Sequence, residues 1–174
     1  MGSTSFCLSY LPEEDRIALV FRRGAGKNPP TLLFTRKMVK LISANLRRYV
    51  ENNISMPESM SREDKQSALK VLHRAELEAN PPGTESSQEK DSGSDGLDSA
   101  QLVTRIDIRY GSEAVRLLLF NQRQQVAGLT LLRQDIHGFL DSLARMARKV
   151  DWELDETFDW VARALDAQDA TGPI

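Results

Sequence analysis

The chain has 174 residues, a net charge of −2 and 40% hydrophobic residues, which suits one domain or two small halves that share a core. It contains no run of about 18 apolar residues, so the sequence predicts no membrane-spanning helix, and its first residues lack the basic and apolar regions of a secretory signal. Cys7 is the only cysteine, which excludes an intrachain disulfide and predicts a cytoplasmic protein.

The first half of the chain predicts three strands followed by a helix. The strand segments alternate or are apolar on both faces, and segments rich in Pro, Gly and acidic residues separate them. Thr35 is placed to cap the helix, which should run to about Asn52. The predicted strands are residues 6–11, 16–22 and 31–34.

Between the two halves the sequence predicts an inserted helix and a linker. Ser61 and Asp64 resemble an amino-terminal capping arrangement, and apolar residues then recur at helical spacing, so we expect a helix over about 62–79. Residues 81–101 are rich in Gly, Ser, Glu and Asp and contain no aromatic residue. Such a segment buries too little apolar surface to offset the entropy of ordering, so we expect a disordered acidic linker.

The second half predicts the same order of elements as the first. At a constant shift of 98 residues, Ile17 and Leu33 fall on Val115 and Leu131, and the apolar positions of the two helices also coincide. Few of the matched residues are identical, so the signal concerns architecture and does not establish common ancestry. The predicted elements are strands at 104–109, 115–120 and 129–132 and a helix from about 134 to 150.

These elements predict an α+β fold made of two strand-strand-strand-helix units with an inserted helix, an acidic linker and a C-terminal helix near residues 155–167. We expect the two units to form one domain. The predicted boundaries are 1–55 for the first unit, 56–80 for the inserted helix, 81–101 for the linker, 102–150 for the second unit and 151–174 for the C-terminal helix and tail.

Strands of both halves are apolar on two faces, which predicts that each sheet is covered twice. One face should pack on the helix of its own unit, and the other should be covered by the second unit or by a second chain. We therefore predict that candidate interface residues lie on the outer strand faces and on the C-terminal helix. They are Val20, Leu118, Phe120, Phe158 and Trp160.

The sequence contains no recognisable catalytic, cofactor or metal motif. The segment Gly24-Ala25-Gly26-Lys27 does not match a phosphate-binding loop, because the glycine spacing is wrong and Asn28 follows the lysine. His73 and His137 have no cysteine partner and lie beside the main apolar positions, so we expect both to be exposed to solvent. The chain is therefore predicted to be non-enzymatic, with no cofactor and no metal.

Our leading functional hypothesis is a protein-interaction or assembly module that binds a protein partner or itself, for example as a homodimer, through sheet faces or the C-terminal helix. The alternative is a single-stranded nucleic-acid-binding protein, because residues 1–55 carry a net charge of +5. Duplicated strand-and-helix units are loosely similar in architecture to the Pur-alpha and Whirly families, which bind single strands but have four strands before each helix. The candidate nucleic-acid contacts are Arg22, Arg23, Lys27, Lys37 and Lys40.

Overall fold

The computed structural model describes residues 5–22, 30–81 and 100–152 and has the α+β architecture that the sequence predicts. Within these residues it contains three helices and two sheets. The predicted linker, apart from its first and last residues, and the predicted C-terminal helix lie outside the described residues. The elements are β1 (Ser5–Leu11), β2 (Arg16–Arg22), β3 (Leu32–Phe34), α1 (Arg36–Asn52), α2 (Arg62–Ala79), β4 (Gln101–Leu102), β5 (Arg105–Tyr110), β6 (Ala114–Asn121), β7 (Gln124–Leu132) and α3 (Arg133–Lys149).

The first sheet has the strand order β1-β2-β3-β4. The strands β1, β2 and β3 are antiparallel neighbours, and Asp15 takes a positive φ of 51° in the turn between β1 and β2. The short strand β4 then joins β3 in parallel, where the amide of Val103 donates to the carbonyl of Leu33 at 2.9 Å. The sequence analysis missed β4 because two residues are too few to show an alternating pattern.

The second sheet has the order β5-β6-β7, with both pairs antiparallel. Its last strand begins at Gln124, well before the predicted start at residue 129, because the polar residues Gln124 and Gln125 and then Gly128 interrupt the apolar pattern. Gln122 has a positive φ of 53° in the tight turn between β6 and β7. A register shift between Leu119 and Phe120 marks a bulge in this pairing.

Two helices begin at the caps that the sequence predicts. The amide of Met38 donates to the hydroxyl of Thr35 at 3.2 Å, and the amide of Asp64 donates to the hydroxyl of Ser61 at 3.1 Å. A side-chain oxygen at this position accepts from an amide that has no partner within the helix, which fixes the first turn. The expected capping roles of Thr35 and Ser61 are therefore confirmed.

The described chain divides into two compact units. The strands belong to one unit, and α2 with most of α1 and α3 belongs to the other. Ile17 and Leu19 of β2 are fully buried in the first unit, and Ile136 and Leu140 of α3 are at most 1% exposed in the second. Among the described residues, no helix combines the length and the apolar content needed to cross a membrane. The residue boundaries predicted for the two strand-helix halves stay a prediction.

Candidate binding surface on the second sheet

The two faces of the second sheet differ in character. On one face β6 presents Val115, Leu117 and Leu119, none more than 1% exposed. Because side chains alternate along a strand, the opposite face of β6 carries Arg116, which is exposed, Leu118, which is buried, and Phe120, which is half-buried. We call this second surface the arginine face. It comprises Arg105, Asp107, Arg109, Arg116, Leu118, Phe120, Gly128 and Thr130.

Two arginines stand directly opposite each other on this face. Arg109 of β5 is the register partner of Arg116 of β6, and both side chains are exposed. Neither makes a hydrogen bond or an ion pair with any described residue. Like charges in directly opposed positions destabilise an antiparallel pair. An anion between the two guanidinium groups would reverse the sign of this interaction, because each group is a rigid fork of donors suited to phosphate or carboxylate oxygens.

A third arginine packs on an aromatic ring at the other end of the β5–β6 pair. The guanidinium carbon of Arg105 lies 4.0 Å from the ring centroid of Phe120, its register partner on β6. The Nε of Arg105 also lies 3.3 Å from Oδ1 of Asp107, and the arginine side chain keeps 52% exposure. Cation–π contacts at exposed sites stabilise by about 0.5–1 kcal/mol. The ring therefore holds the guanidinium plane in place while half of the side chain faces solvent.

Hydrogen bonds with Thr104 hold the backbone of Phe120 in place. Its carbonyl accepts from the amide of Thr104 at 2.8 Å and from the hydroxyl of Thr104 at 3.3 Å. The same hydroxyl accepts from the amide of Gln122 at 2.6 Å. The bulge after Leu119 lies at this point, and bulges redirect side chains at the ends of strands. Thr104 thus joins the start of β5 to the β6–β7 turn and fixes the backbone that carries Phe120.

The arginine face is cationic. Its three arginines and one aspartate give it a net charge of +2, although the whole chain carries −2. Gly128 and Thr130 on β7 are both exposed and present little side-chain bulk beside the arginines. The surface is therefore suited to an extended anionic partner that lies across the strands. The sequence analysis missed it, although Arg105 and Arg109 lie four residues apart in one predicted strand and Arg116 lies in the next.

The two histidines, which we expected to be exposed, are buried, so that prediction was wrong. His73 of α2 is fully buried and His137 of α3 is 5% exposed, and their Nδ1 atoms lie 2.8 Å apart. The error arose because we judged His137 by its offset from the apolar stripe of one helix. In the structure every residue of α3 from 136 to 141 is buried, so that turn has no solvent-facing side.

The environment of His73 favours its neutral form. Burial, the neighbouring His137 and the positive charge of Arg145 lower the pKa of His73 from 6.5 to about 3. Asp141, one turn after His137, is 1% exposed, and its Oδ2 accepts from Nε of Arg145 at 2.8 Å. Since a neutral imidazole has one donor and one acceptor nitrogen, one histidine must donate from Nδ1 and the other must accept there.

The structure describes only some of the residues that we predicted from the sequence to contact nucleic acid. Lys37 is exposed and Lys40 is half-buried, one turn apart on α1. Arg22 ends β2, but its side chain is not among those described, and Arg23 and Lys27 lie outside the described residues. Of this set, the structure therefore brings only Lys37 and Lys40 to one element.

The predicted interface residues do not form one surface in the described part of the chain. Leu118 and Phe120 share the arginine face, where Leu118 is 7% exposed and Phe120 is half-buried. Val20 is half-buried on the other sheet, and Phe158 and Trp160 lie outside the described residues. Leu118 thus offers little surface to a partner, whereas Phe120 is accessible beside Arg105.

Comparisons with known proteins give no further guidance, because no family model, no curated protein and no solved structure matches the chain. In the part of the chain that the structure describes, no group of three or more His, Cys, Asp or Glu side chains could hold a metal ion. The arginine face is thus the surface for which geometry and charge together indicate a type of partner.

Proposed function

We propose that this protein is a non-enzymatic binding module and that the arginine face is its binding surface. The observation that carries the proposal is the opposition of Arg109 and Arg116, two exposed cations with no partner in the described chain. Repulsion between the two guanidinium groups destabilises the free protein, and an anionic partner would neutralise that repulsion when it binds. This proposal keeps the interaction module expected from the sequence and assigns it a specific surface.

The partner that this surface fits best is a single-stranded nucleic acid. Phosphates would bind Arg109 and Arg116, since guanidinium groups contact phosphate oxygens in a bidentate manner. An unpaired base would stack on the guanidinium plane of Arg105, which Phe120 supports from the other side at 4.0 Å. Arg109 is four residues beyond Arg105 on β5, which corresponds to about 13 Å along the strand, so one short segment can reach both.

Binding of a fluorescent single-stranded oligonucleotide, followed by anisotropy over a range of salt concentrations, tests this function. We expect salt-dependent binding in the wild type and a loss of at least tenfold in affinity in the double variant Arg109→Ala/Arg116→Ala. Removal of two phosphate contacts should also reduce the slope of log affinity against log salt by about 1.4, at about 0.7 for each contact with a single strand.

Two control variants separate this surface from general charge effects. Arg62→Ala removes an exposed cation from the first turn of α2 and should leave binding unchanged. Lys37→Ala removes a contact of the amino-terminal basic patch proposed from the sequence, and a loss of affinity there would favour that patch instead. Absent or salt-insensitive binding by the wild type would contradict nucleic-acid binding altogether.

The second candidate function is assembly with a protein partner or with a second copy of the chain. Tyr110 and Leu132 favour it, because they lie at the same end of the second sheet and are 53% and 41% exposed. Light scattering after size exclusion should then give a dimer mass that falls to a monomer in Tyr110→Ser/Leu132→Ser. A wild-type monomer at all concentrations would remove self-association from consideration.

We further propose that the chain contains a structural repeat at an offset of 98 residues. In its support, residues 16–22 of β2 shifted by 98 give 114–120, and β6 spans Ala114–Asn121. The same shift carries Arg36–Asn52 of α1 onto 134–150, and α3 spans Arg133–Lys149. A cytoplasmic location is also part of the proposal, because the single cysteine, Cys7, is free.

A further inference from the structure

Strand β5 forms one edge of the second sheet. In the strand order β5-β6-β7 it pairs with β6 alone among the described residues. An edge strand carries backbone groups that can pair with a further strand, and proteins block unwanted pairing with proline, lysine or a bulge. Residues 105–110 contain neither proline nor lysine, and their pairing with β6 shows no register shift. The β5 edge is therefore suited to the addition of a strand.

The hydrogen-bond pattern of β5 indicates which of its residues face this edge. The amide of Gly111 donates to the carbonyl of Ala114 at 2.9 Å, in the register in which β5 and β6 pair. Hydrogen-bonded and non-hydrogen-bonded rungs alternate in an antiparallel pair, so the odd-numbered residues of β5 are the ones that bond to β6. The N–H and C=O groups of Ile106 and Ile108 consequently point away from β6, towards the edge.

We propose that the β5 edge is the surface through which two copies of this chain form a dimer: their β5 strands pair antiparallel about Ile108 and join the two second sheets into one. The inference rests on the second candidate function, self-assembly, and gives it an edge and a register. It does not require a nucleic-acid partner. A twofold axis at Ile108 makes the contact the same for both copies, as in most homodimers.

The charges of β5 are complementary to one another in this register. Asp107 of one copy stands opposite Arg109 of the other, and the twofold axis repeats the contact. Within one chain, Oδ1 of Asp107 lies 3.3 Å from Nε of Arg105, whereas Arg109 forms no ion pair with a described residue. Opposite charges in directly opposed positions stabilise a strand pair. The second copy thus supplies a carboxylate for Arg109.

The nearest alternative registers are unfavourable. A shift of two residues in one direction centres the pair on Asp107 and places this carboxylate opposite its own copy. The same shift in the other direction centres the pair on Arg109 and opposes two guanidinium groups, and like charges so placed are destabilising. The other edge strands of the described chain, β1, β4 and β7, carry no charged residue. The β5 edge is therefore the one whose own charges specify a register.

The other face of the joined strands is apolar. In the proposed register Ile108 lies beside its own copy, and Tyr110 of one chain lies beside Ile106 of the other. Both isoleucines are half-buried and Tyr110 is 53% exposed in the single chain, so all three have surface to bury. Pairs of aromatic and β-branched side chains across strands stabilise a sheet. The two arginine faces lie together on the opposite side of the joined sheet.

Light scattering after size exclusion on the full chain tests the proposal by charge exchange. The wild type should have twice the 19.6 kDa of one chain. Asp107→Arg and Arg109→Asp each create two like-charge contacts, so each should raise the dissociation constant of the dimer about tenfold or more. The combined variant Asp107→Arg/Arg109→Asp restores opposite charges and should restore the dimer. Arg123→Asp, an exposed charge reversal in the β6–β7 turn, is the control and should leave the dimer unchanged.

Amide exchange measured by NMR identifies the surface independently of the mass. The amides of Ile106 and Ile108 should be protected in the wild type and should exchange faster in Asp107→Arg, whereas the amide of Arg109 should stay protected by β6 in both. A wild type that is monomeric at all concentrations would overturn the inference together with the second candidate function. A dimer that persists in both single variants, or that the combined variant does not restore, would overturn the inference alone, because the copies would then meet through another surface.

Discussion

His73 and His137 lie 64 residues apart in the sequence, yet their Nδ1 atoms are separated by 2.8 Å in the interior of the helical unit. Each residue alone is a weak polar position on its helix, and their juxtaposition gives each Nδ1 a hydrogen-bond partner. The pair is therefore a long-range contact in which one Nδ1 must carry a proton and the other must not, so that one donates a hydrogen bond and the other accepts it.

Acid should destabilise this protein through the same pair. The pKa of His73 is about 3 when folded and 6.5 in an exposed environment, so the unfolded chain binds more protons between these values. The contribution to stability is complete above pH 6.5 and is lost progressively as pH falls towards 3. We expect the free energy of unfolding to fall by about 2–3 kcal/mol between pH 6.5 and pH 4.5, at about 1.4 kcal/mol per unit.

Urea denaturation at the two pH values measures this change. The variant His73→Leu/His137→Leu should show a much smaller fall, which reports only the titration of carboxyl groups. A wild type whose stability is the same at pH 6.5 and pH 4.5 would contradict the burial of a neutral His73.

Removal of one arginine from the opposed pair should stabilise the unliganded protein. Arg116→Thr replaces one of two like charges and places a residue of high β propensity at an exposed strand position. We expect an increase of about 0.2–1 kcal/mol in the free energy of unfolding at low salt, measured by thermal or urea denaturation.

The increase should be smaller in about 1 M salt, because screening weakens the repulsion between exposed charges. Arg123→Thr is the matched control, since Arg123 is exposed in the β6–β7 turn and has no register partner. A loss of stability in Arg116→Thr would show that the guanidinium group makes a favourable contact in the free protein.

Loss of the Thr104 hydroxyl should loosen the backbone around Phe120. Thr104→Val keeps the shape of the side chain but leaves the amide of Gln122 without its 2.6 Å partner. Because this site is exposed, we expect a modest cost of about 1 kcal/mol in stability. Oligonucleotide affinity should fall as well, measured by anisotropy under conditions where the variant is fully folded. Unchanged affinity would mean that the position of Phe120 does not matter for binding.

Truncation of Leu140 should severely destabilise the helical unit. Leu140 is 1% exposed on α3, so Leu140→Ala leaves a cavity, and we expect a loss of about 2–5 kcal/mol. Leu41→Ala on α1 is the control, because Leu41 is 47% exposed and its truncation should change stability by less than about 0.5 kcal/mol. Similar melting curves for the two variants would contradict this assignment of the core.

Much of the secondary structure was predictable because its signals are local. The caps at Thr35 and Ser61 depend on a hydroxyl three residues before the amide it accepts from, and both are present. The short apolar run between Arg16 and Arg22 likewise marked β2 with the bounds that the structure gives. Such patterns act within a few residues, so the sequence displays them directly.

The candidate sites were not predictable in the same way. From the sequence, Arg109 and Arg116 are two charges in separate predicted strands. Only the antiparallel register of β5 and β6 shows that they lie directly opposite each other. The sequence displayed His137 as a polar residue beside the apolar stripe, and only the enclosure of that turn of α3 made it buried.

The sequence by itself therefore determined most of the strands, the three helices of the described residues and the caps at Thr35 and Ser61, because spacing along the chain is sufficient to specify structure that forms locally. The tertiary structure decided the pairing of β4 with β3, the cationic face and the contact of His73 with His137. These depend on register and on packing between segments distant in sequence. A shift of one residue in strand register would move every side chain of that strand to the other face.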